Sequence, residues 1–481
     1  MLGWRCPSRA FSTSFARTGG QKAKRRKQSL RADNPHLEFK SVDATASTAA
    51  LAHFDDFYSG LYKTQWSSMR LGLLSQAKYC AVVNNFGDRE ATVARLEELG
   101  CVDVGHQYRE AQARQAPHIK QQPTVISEGL TVEEEVLRLE QEEQLSALPS
   151  SLAPEQAEGR LMDPEEAKLK GGAATALYDF VPSTVLKGME DFVEESDYYQ
   201  YYKQVSKDEV RTVVDPSLPW PSALRCYTFP RGVIQKLPAP KTGLLGTSNY
   251  YCMDAASLLP VLALDLRPGC SVLDMCSGPG GKALVMLQTL YPASLVCNDI
   301  SSARVKRVIG VLDQFLGREK DGGIGGVRKS ITLTRSDGAD LTDYECYDRV
   351  LVDAPCYADR HAVSSDEANV FVKTQIKDRL KMPERQAKLL KTGLMQLKPG
   401  GCLVYSTCTL SPIQNDGVVH MALKALWQDT TLDFEVCDLT EAVKPMRFLC
   451  KMVGMKYGQM VVPFLPNNFG PMYFAKIRRI P

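Results

Sequence analysis

The amino-acid sequence predicts an α/β fold, with a Rossmann-like parallel sheet in its second half and a helical region before it. From about residue 250, short apolar runs alternate with helix-like segments, which is typical of a parallel sheet with helices on both faces. A glycine-rich turn, residues 278–281, follows the first apolar run, and acidic residues follow several others. Such sheets bind their ligands at these strand ends.

The first segment of the chain, residues 1–32, contains many Arg, Lys, Ser, Thr and Phe residues and no acidic residue. This composition is typical of a mitochondrial transit peptide and therefore predicts a location in the mitochondrial matrix. A nuclear localisation signal built on the basic run 22–27 is the alternative.

The next two segments differ sharply in composition. Helical spacing over 51–86 and 88–101 predicts a helical N-terminal region over 33–125. Residues 126–172 are rich in Glu and interrupted by proline, which predicts a disordered acidic linker inserted into the fold. An acidic segment of this kind repels RNA and is a poor candidate for a substrate surface.

The remaining segments are an aromatic and proline-rich extension, 173–248, and the α/β domain that it precedes, 249–481. The predicted elements of that domain, in order, are strand 270–276, helix 282–290, strand 294–299, helix 301–316, strands 330–337 and 347–355, helix 383–397, strand 401–407, helix 412–427 and two strands within 458–480. The alternation predicts parallel pairing with helical crossovers.

Overall composition excludes several classes of protein. The net charge of +2 gives no bulk signature of nucleic-acid binding. The cysteines include no C-x-x-C pair, so neither a zinc site nor a disulfide scaffold is predicted. The chain has no run of 18 apolar residues, so we predict no membrane span.

The strand ends predict a nucleoside-bearing cofactor. Asp299 is placed to accept both ribose hydroxyls, and Asp337 to bind an adenine edge. The glycine turn fits neither the dinucleotide fingerprint nor the P-loop, and converging carboxylates disfavour a triphosphate, so S-adenosylmethionine fits best. The predicted cofactor-binding residues are Gly280, Gly281, Lys282, Asp299, Arg304, Asp337, Gly338 and Asp353.

Three motifs, DMCSGPGGK (274–282), DAPC (353–356) and STCTLSPIQN (406–415), resemble those of the Sun-domain family of RNA cytosine-5 methyltransferases. The resemblance runs from about Phe54 to the C-terminus, except for the acidic linker, and is strongest to the branch that modifies mitochondrial ribosomal RNA. The family's first motif usually reads C-A-A-P-G-G-K, whereas this chain has C-S-G-P-G-G-K. The resemblance implies a seven-stranded class I methyltransferase sheet.

The resemblance also implies roles for four residues. Cys408 is the expected nucleophile, and Cys356 is expected to help resolve the covalent adduct and release the product. Asp353 is expected to bind the N3/N4 edge of cytosine, and Lys282 to position Asp353 or the substrate. Without the resemblance, either cysteine is more simply read as a small buried residue.

Partners follow from the same resemblance. It implies mitochondrial small-subunit rRNA as substrate, and a helical-repeat partner of the mitochondrial transcription termination factor family. The basic runs 373–381 and 476–479 are candidates for phosphate contacts, or alternatively are solvated faces. A ribosome-assembly scaffold with dispensable catalysis and a tRNA cytosine-5 methyltransferase stay open as alternatives.

Overall fold

The computed structural model describes residues 45–119, 210–318 and 324–481. The predicted transit peptide, 1–32, and the predicted acidic linker, 126–172, lie outside these residues.

The strands of the described residues form two sheets. They are β1 (Cys80–Val83), β2 (Val102–Asp103), β3 (Thr212–Val214), β4 (Cys226–Thr228), β5 (Tyr250–Met253), β6 (Cys270–Asp274), β7 (Pro292–Asn298), β8 (Ile331–Thr334), β9 (Tyr347–Asp353), β10 (Leu397–Thr407), β11 (Phe434–Asp438), β12 (Lys451–Gly454), β13 (Gln459–Val462) and β14 (Met472–Arg479).

The helices surround these sheets. They are α1 (Ala46–Tyr62), α2 (Trp66–Leu74), α3 (Arg89–Glu98), α4 (Val104–Ile119), α5 (Leu258–Ala263), α6 (Gly281–Gln288), α7 (Ser302–Leu316), α8 (Asp359–Ser364), α9 (Ile376–Leu380), α10 (Met382–Met395), α11 (Val418–Asp429) and α12 (Thr440–Val443). None of the helices in these residues is long and apolar enough to cross a bilayer.

The large sheet has the order β12-β13-β14-β10-β9-β6-β7-β8, and its centre from β10 to β8 is parallel, as predicted. The expected number of seven strands is too low, because the sheet has ten. The outer edge of β14 pairs with β13 near its start and with β11 near its end, and β3 extends β11. One long strand thus supports two shorter ones.

A small antiparallel sheet, β2-β4-β1-β5, packs beside the N-terminal helices. The helical prediction for 51–86 is wrong at residues 80–83, which form β1. All four β1 residues are buried and pair with β5, and Ala81 and Val82 also pair with β4, so tertiary pairing outweighs the local helical pattern. The predicted boundary at 249 does not separate the two sheets: β5 follows it but pairs with β1 in the small sheet, and β3 precedes it but lies in the large sheet.

Two hydrophobic cores cover the two faces of the large sheet. Val272 of β6 packs into one core and its neighbour Leu273 into the other; Val404 and Leu403 of β10 divide in the same way. Side chains alternate along a strand, so burial on both faces requires the continuous apolar runs seen in the sequence. Because the central strands run parallel, their carboxyl ends lie at the same edge of the sheet.

Two residues of the basic run 476–479 are buried in ion pairs, so the run as a whole neither contacts phosphates nor forms a solvated face. This corrects the prediction for that run. Lys476 is 3% exposed in its side chain and its Nζ lies 2.7 Å from Oδ2 of Asp215. Arg479 is also buried and is paired with Glu345. Inward-facing strand positions hold these two cations in ion pairs within the fold.

Candidate active site

The glycine turn joins β6 to α6. Gly280 has a φ of +109°, in the left-handed region that favours glycine. A Cβ atom there would lie 3.3 Å from Cα of Val308 on α7. The glycine therefore lets the turn pass close to α7 and start α6 directly after the strand.

Asp299, at the end of β7, braces the same turn. Its Oδ2 accepts a hydrogen bond from the backbone N–H of Gly278 at 3.2 Å, and its Oδ1 accepts one from that of Ser301 at 2.8 Å. Nη1 of Arg304 lies 3.8 Å from Oδ2. Each carboxylate oxygen can accept a further bond, so this brace is compatible with the predicted ribose contact.

Asp337 and Gly338 lie beyond β8. The Asp337 carboxylate caps the short helical turn that follows, accepting from the backbone N–H of Ala339 at 3.1 Å. A Cβ at Gly338 would lie 2.9 Å from Cδ2 of Leu389. Close packing against α10 by itself explains this glycine.

A cavity of about 150 Å³ opens beside the turn and brings together three of the predicted residues, Gly281, Lys282 and Asp353. Gly280, Asp299, Arg304, Asp337 and Gly338 do not line it. Asp299 and Arg304 lie beside Gly278 of the turn instead, and Asp337 and Gly338 follow β8.

Asp274, the last residue of β6, lines this cavity and was missed in the sequence. It is 1% exposed, and neither carboxylate oxygen has a well-formed hydrogen bond within the described residues, although the Cys276 backbone N–H is near enough to favour ionisation. Burial and the neighbouring Asp353 raise the pKa of Asp274 to about 8. The sequence did contain a signal for this residue, because an acidic residue within an apolar strand run is unusual.

The residues of the cavity and of the glycine turn beside it suit S-adenosylmethionine. A buried carboxylate that lacks a well-formed partner suits a cationic group, and the cofactor carries both an ammonium and a sulfonium. Asp274 and the glycine turn would hold its methionyl part, and Asp299 its ribose.

We expect the substitution Asp274→Asn to change how the melting temperature depends on pH. A carboxyl group whose pKa rises from 3.8 unfolded to about 8 folded favours the folded state only when protonated. Its contribution is therefore lost as pH rises from about 4 to 8. The melting temperature of the variant minus that of the wild type should increase over this range, then level off.

Thermal unfolding without cofactor at pH 5 to 9 measures this difference. Asp56→Asn, at an exposed position of α1, is the control and should show no such trend. A constant difference for Asp274→Asn would contradict the assignment.

Asp353 is held on both oxygens. Lys282 Nζ donates to its Oδ2 at 2.6 Å, and Ser406 Oγ donates to its Oδ1 at 2.7 Å. Burial lowers the pKa of Lys282, but the adjacent carboxylate outweighs it and the pKa is raised. Ser406 lies directly opposite Asp353 in the parallel register of β9 and β10, and its motif position was a signal that sequence reasoning did not use.

The two cysteines lie together. Cys356 follows β9 and Cys408 follows β10, and their Sγ atoms are 3.3 Å apart. The backbone N–H of Cys408 also donates to Sγ of Cys356 at 3.3 Å. The hydrogen bond with Cys408, together with burial, holds the pKa of Cys356 well above its usual range. Cys356 is thus a neutral thiol, able to donate to its neighbour.

The ammonium group of Lys282 lies near both Asp353 and Cys408. Cys408 is close enough to Lys282 to contribute to its raised pKa, along with Asp353. One edge of the sheet therefore combines a thiol pair, an ammonium–carboxylate pair and a cavity with a buried acid. Such a set can perform nucleophilic catalysis beside a bound cofactor.

Comparisons with known proteins show which proteins this chain is similar to. Residues 261–478 match the family described as 16S rRNA methyltransferase RsmB/F. The chain is 34% identical to 5-cytosine rRNA methyltransferase NSUN4 of Mus musculus, over 91% of this chain and 90% of the relative. It is 33% identical to nsun-4 of Caenorhabditis elegans, over 91% and 92% respectively. The crystal structure of PH0851 shares the fold, at a TM-score of 0.50 and 14% identity, over 92% of this chain and 69% of that one.

Proposed function

Because the chain belongs to the RsmB/F family of S-adenosylmethionine-dependent RNA (cytosine-5)-methyltransferases, we propose that it methylates C5 of a cytosine in mitochondrial small-subunit rRNA. The paired thiols, with Sγ atoms 3.3 Å apart, are the observation that carries the chemistry. Relatives named as rRNA methyltransferases over nine-tenths of the chain support the substrate. The basic, acid-free residues 1–32 support the mitochondrial location.

The proposed reaction begins at Cys408. Its thiolate adds through Sγ to C6 of a cytosine turned out of the RNA stack, which makes C5 nucleophilic. Bound S-adenosylmethionine supplies the methyl group that C5 takes up. Loss of the C5 proton and cleavage of the Sγ–C6 bond then restore the aromatic ring and release Cys408, with the C5 proton left on the pair of thiols.

Asp353 orients the base in this proposal. Its carboxylate accepts a hydrogen bond from the N4 amino group of the cytosine, and from N3 once N3 has taken up a proton in the adduct. Lys282 and Ser406 fix the two oxygens from opposite sides. A carboxylate held in this way needs little reorganisation when the substrate arrives.

Cys356 acts after the methyl group has been transferred. As a neutral thiol beside Cys408 Sγ, it donates its proton to that sulfur as the Sγ–C6 bond breaks, and the Cys356 thiolate so formed takes the C5 proton. This assignment separates the two thiols into a nucleophile and a helper for product release.

Binding of the rRNA involves further surfaces. Lys377 and Lys381, in and beside α9, are exposed and suited to phosphate contacts. Because the chain is nearly neutral, its own charge gives little affinity for RNA, and a second protein supplies that affinity in this proposal. A helical-repeat protein of the mitochondrial transcription termination factor family is the proposed partner.

Bisulfite sequencing of mitochondrial RNA from cells with and without the chain tests the proposal. We expect a cytosine in small-subunit rRNA to lose its 5-methyl group when the chain is absent, and to regain it when the chain is re-expressed. An unchanged rRNA pattern with a loss in tRNA would favour the tRNA alternative. Recovery of the full-length chain outside mitochondria on cell fractionation would contradict the proposed location.

A further inference from the structure

Hydrogen bonds to its backbone hold the turn that carries Cys408, residues 408–410. The carbonyl oxygen of Cys408 accepts from the N–H of Asp359 at 3.2 Å, and that of Thr409 accepts from Nδ2 of Asn415 at 3.0 Å. Thr409 and Leu410 are fully buried. The position of Sγ therefore depends on what holds these three residues.

Asp359 joins this turn to the loop of Cys356. It begins α8, three residues after Cys356, and its side chain is fully buried. Its Oδ2 accepts a hydrogen bond from the backbone N–H of Leu410 at 2.7 Å. One carboxylate thus sets the separation of the two loops that hold the thiols.

The N-terminal helix α1 reaches the same carboxylate. The hydroxyl group of Tyr58 donates to Oδ2 of Asp359 at 3.0 Å and lies 3.2 Å from Oγ1 of Thr409. Because the single phenolic proton points to Asp359, the Thr409 hydroxyl donates to Tyr58. The hydroxyl group of Tyr62, one turn further along, donates to the carbonyl oxygen of Leu410 at 2.6 Å.

Helix α1 is itself anchored. Phe54 packs edge-on against Phe371, with ring centroids 5.3 Å apart, and stacks on Tyr58 at 5.0 Å. At the start of the helix, the N–H of Ser47 donates to Oδ1 of Asp366 at 2.9 Å. The tyrosine hydroxyls therefore project from a rigid element rather than from a loop.

We propose that Tyr58 is a positioning residue for the methyl-transfer reaction: through Asp359 and Thr409 it fixes the turn that presents Cys408 to the cytosine ring. Helix α1 is then part of the catalytic machinery, although it lies some 350 residues from Cys408 in the chain. The inference rests on the proposed role of Cys408 as nucleophile.

Misplacement of a reacting atom by about 1 Å can cost on the order of 100-fold in rate. Tyr58→Phe keeps the ring and its stacking but removes the hydroxyl group. We expect the single-turnover rate at saturating RNA and S-adenosylmethionine to fall about 10- to 100-fold. The KM for RNA should stay unchanged, because the ring packs inside the protein.

The experiment uses the full chain, a transcript of mitochondrial small-subunit rRNA and tritiated S-adenosylmethionine. Tyr108→Phe is the matched control. Tyr108 is equally buried and its hydroxyl group donates to the Leu218 carbonyl oxygen at 2.7 Å, beside Trp220 in the N-terminal region. We expect this variant to keep the wild-type rate, whatever its melting temperature.

A double-mutant cycle with Thr409→Val tests the route of the effect. If Tyr58 acts through Thr409, the double variant should lose less than the product of the two single losses. A wild-type rate in Tyr58→Phe, or an equal loss in Tyr108→Phe, would overturn the inference. A wild-type chain that does not methylate the transcript would instead count against the proposed function.

Discussion

Replacement of Cys408 by serine should lower the rate of methyl transfer by on the order of 10⁴-fold or more. A serine hydroxyl group has nearly the shape of the thiol but is not ionised near neutral pH, so it cannot add to C6 at a useful rate. S-adenosylmethionine binding should be retained, because Cys408 does not line the cavity beside the glycine turn.

Single-turnover methylation of the rRNA transcript measures the first effect, and calorimetric titration with S-adenosylmethionine measures the second. Cys346→Ser, at an exposed thiol, is the control and should keep the wild-type rate. Methylation by Cys408→Ser at more than about a tenth of the wild-type rate would contradict the nucleophile assignment.

A variant at Cys408 also distinguishes the proposed enzyme from the scaffold alternative. Cells that carry only Cys408→Ala should lack the rRNA methyl group while keeping normal levels of the protein. Failure of ribosome assembly in those cells would mean that catalysis is required. Normal assembly would support the scaffold alternative, in which the chain acts by binding alone.

Replacement of Cys356 by alanine should trap the covalent protein–RNA adduct. The Cys356 thiol lies 3.3 Å from Sγ of Cys408, and its raised pKa keeps it protonated. Without it, addition to C6 and methylation at C5 can proceed, but elimination lacks its helper. We expect a slowly migrating species on a denaturing gel when this variant is incubated with RNA and S-adenosylmethionine.

The double variant Cys356→Ala/Cys408→Ala is the control and should form no adduct. Accumulation with Cys408→Ala instead would mean that the roles of the two thiols are exchanged. If neither single variant forms an adduct while the wild type methylates RNA, a separate step for Cys356 in product release is wrong.

Much of the large sheet could be predicted from the sequence. Strands that are buried on both faces must be continuously apolar, and the runs that became β6, β9 and β10 are bounded by Gly, Asp and Cys. The glycine turn is visible because only glycine tolerates the left-handed φ found at Gly280. These are local requirements, so a single chain displays them.

Other features needed contacts between distant segments. The pattern of residues 80–83 looked helical, and their pairing with β4 and β5 decided otherwise. The sequence predicted that Lys476 could contact RNA phosphates, but in the structure it forms an ion pair with Asp215. Asp274 looked like an ordinary strand residue until the cavity showed its buried carboxylate. In each case the deciding partner lies far away in the sequence.

The sequence by itself determined the parallel sheet, the glycine turn and the presence of two thiols at strand ends, because strand periodicity and backbone sterics act over a few neighbouring residues. Only the tertiary structure decided that Cys356 and Cys408 lie 3.3 Å apart, that Ser406 and Lys282 hold Asp353, and that Tyr58 contacts the turn that carries Cys408. The physical reason is that hydrogen bonds and packing depend on distance in space, which strand register and helix docking set together.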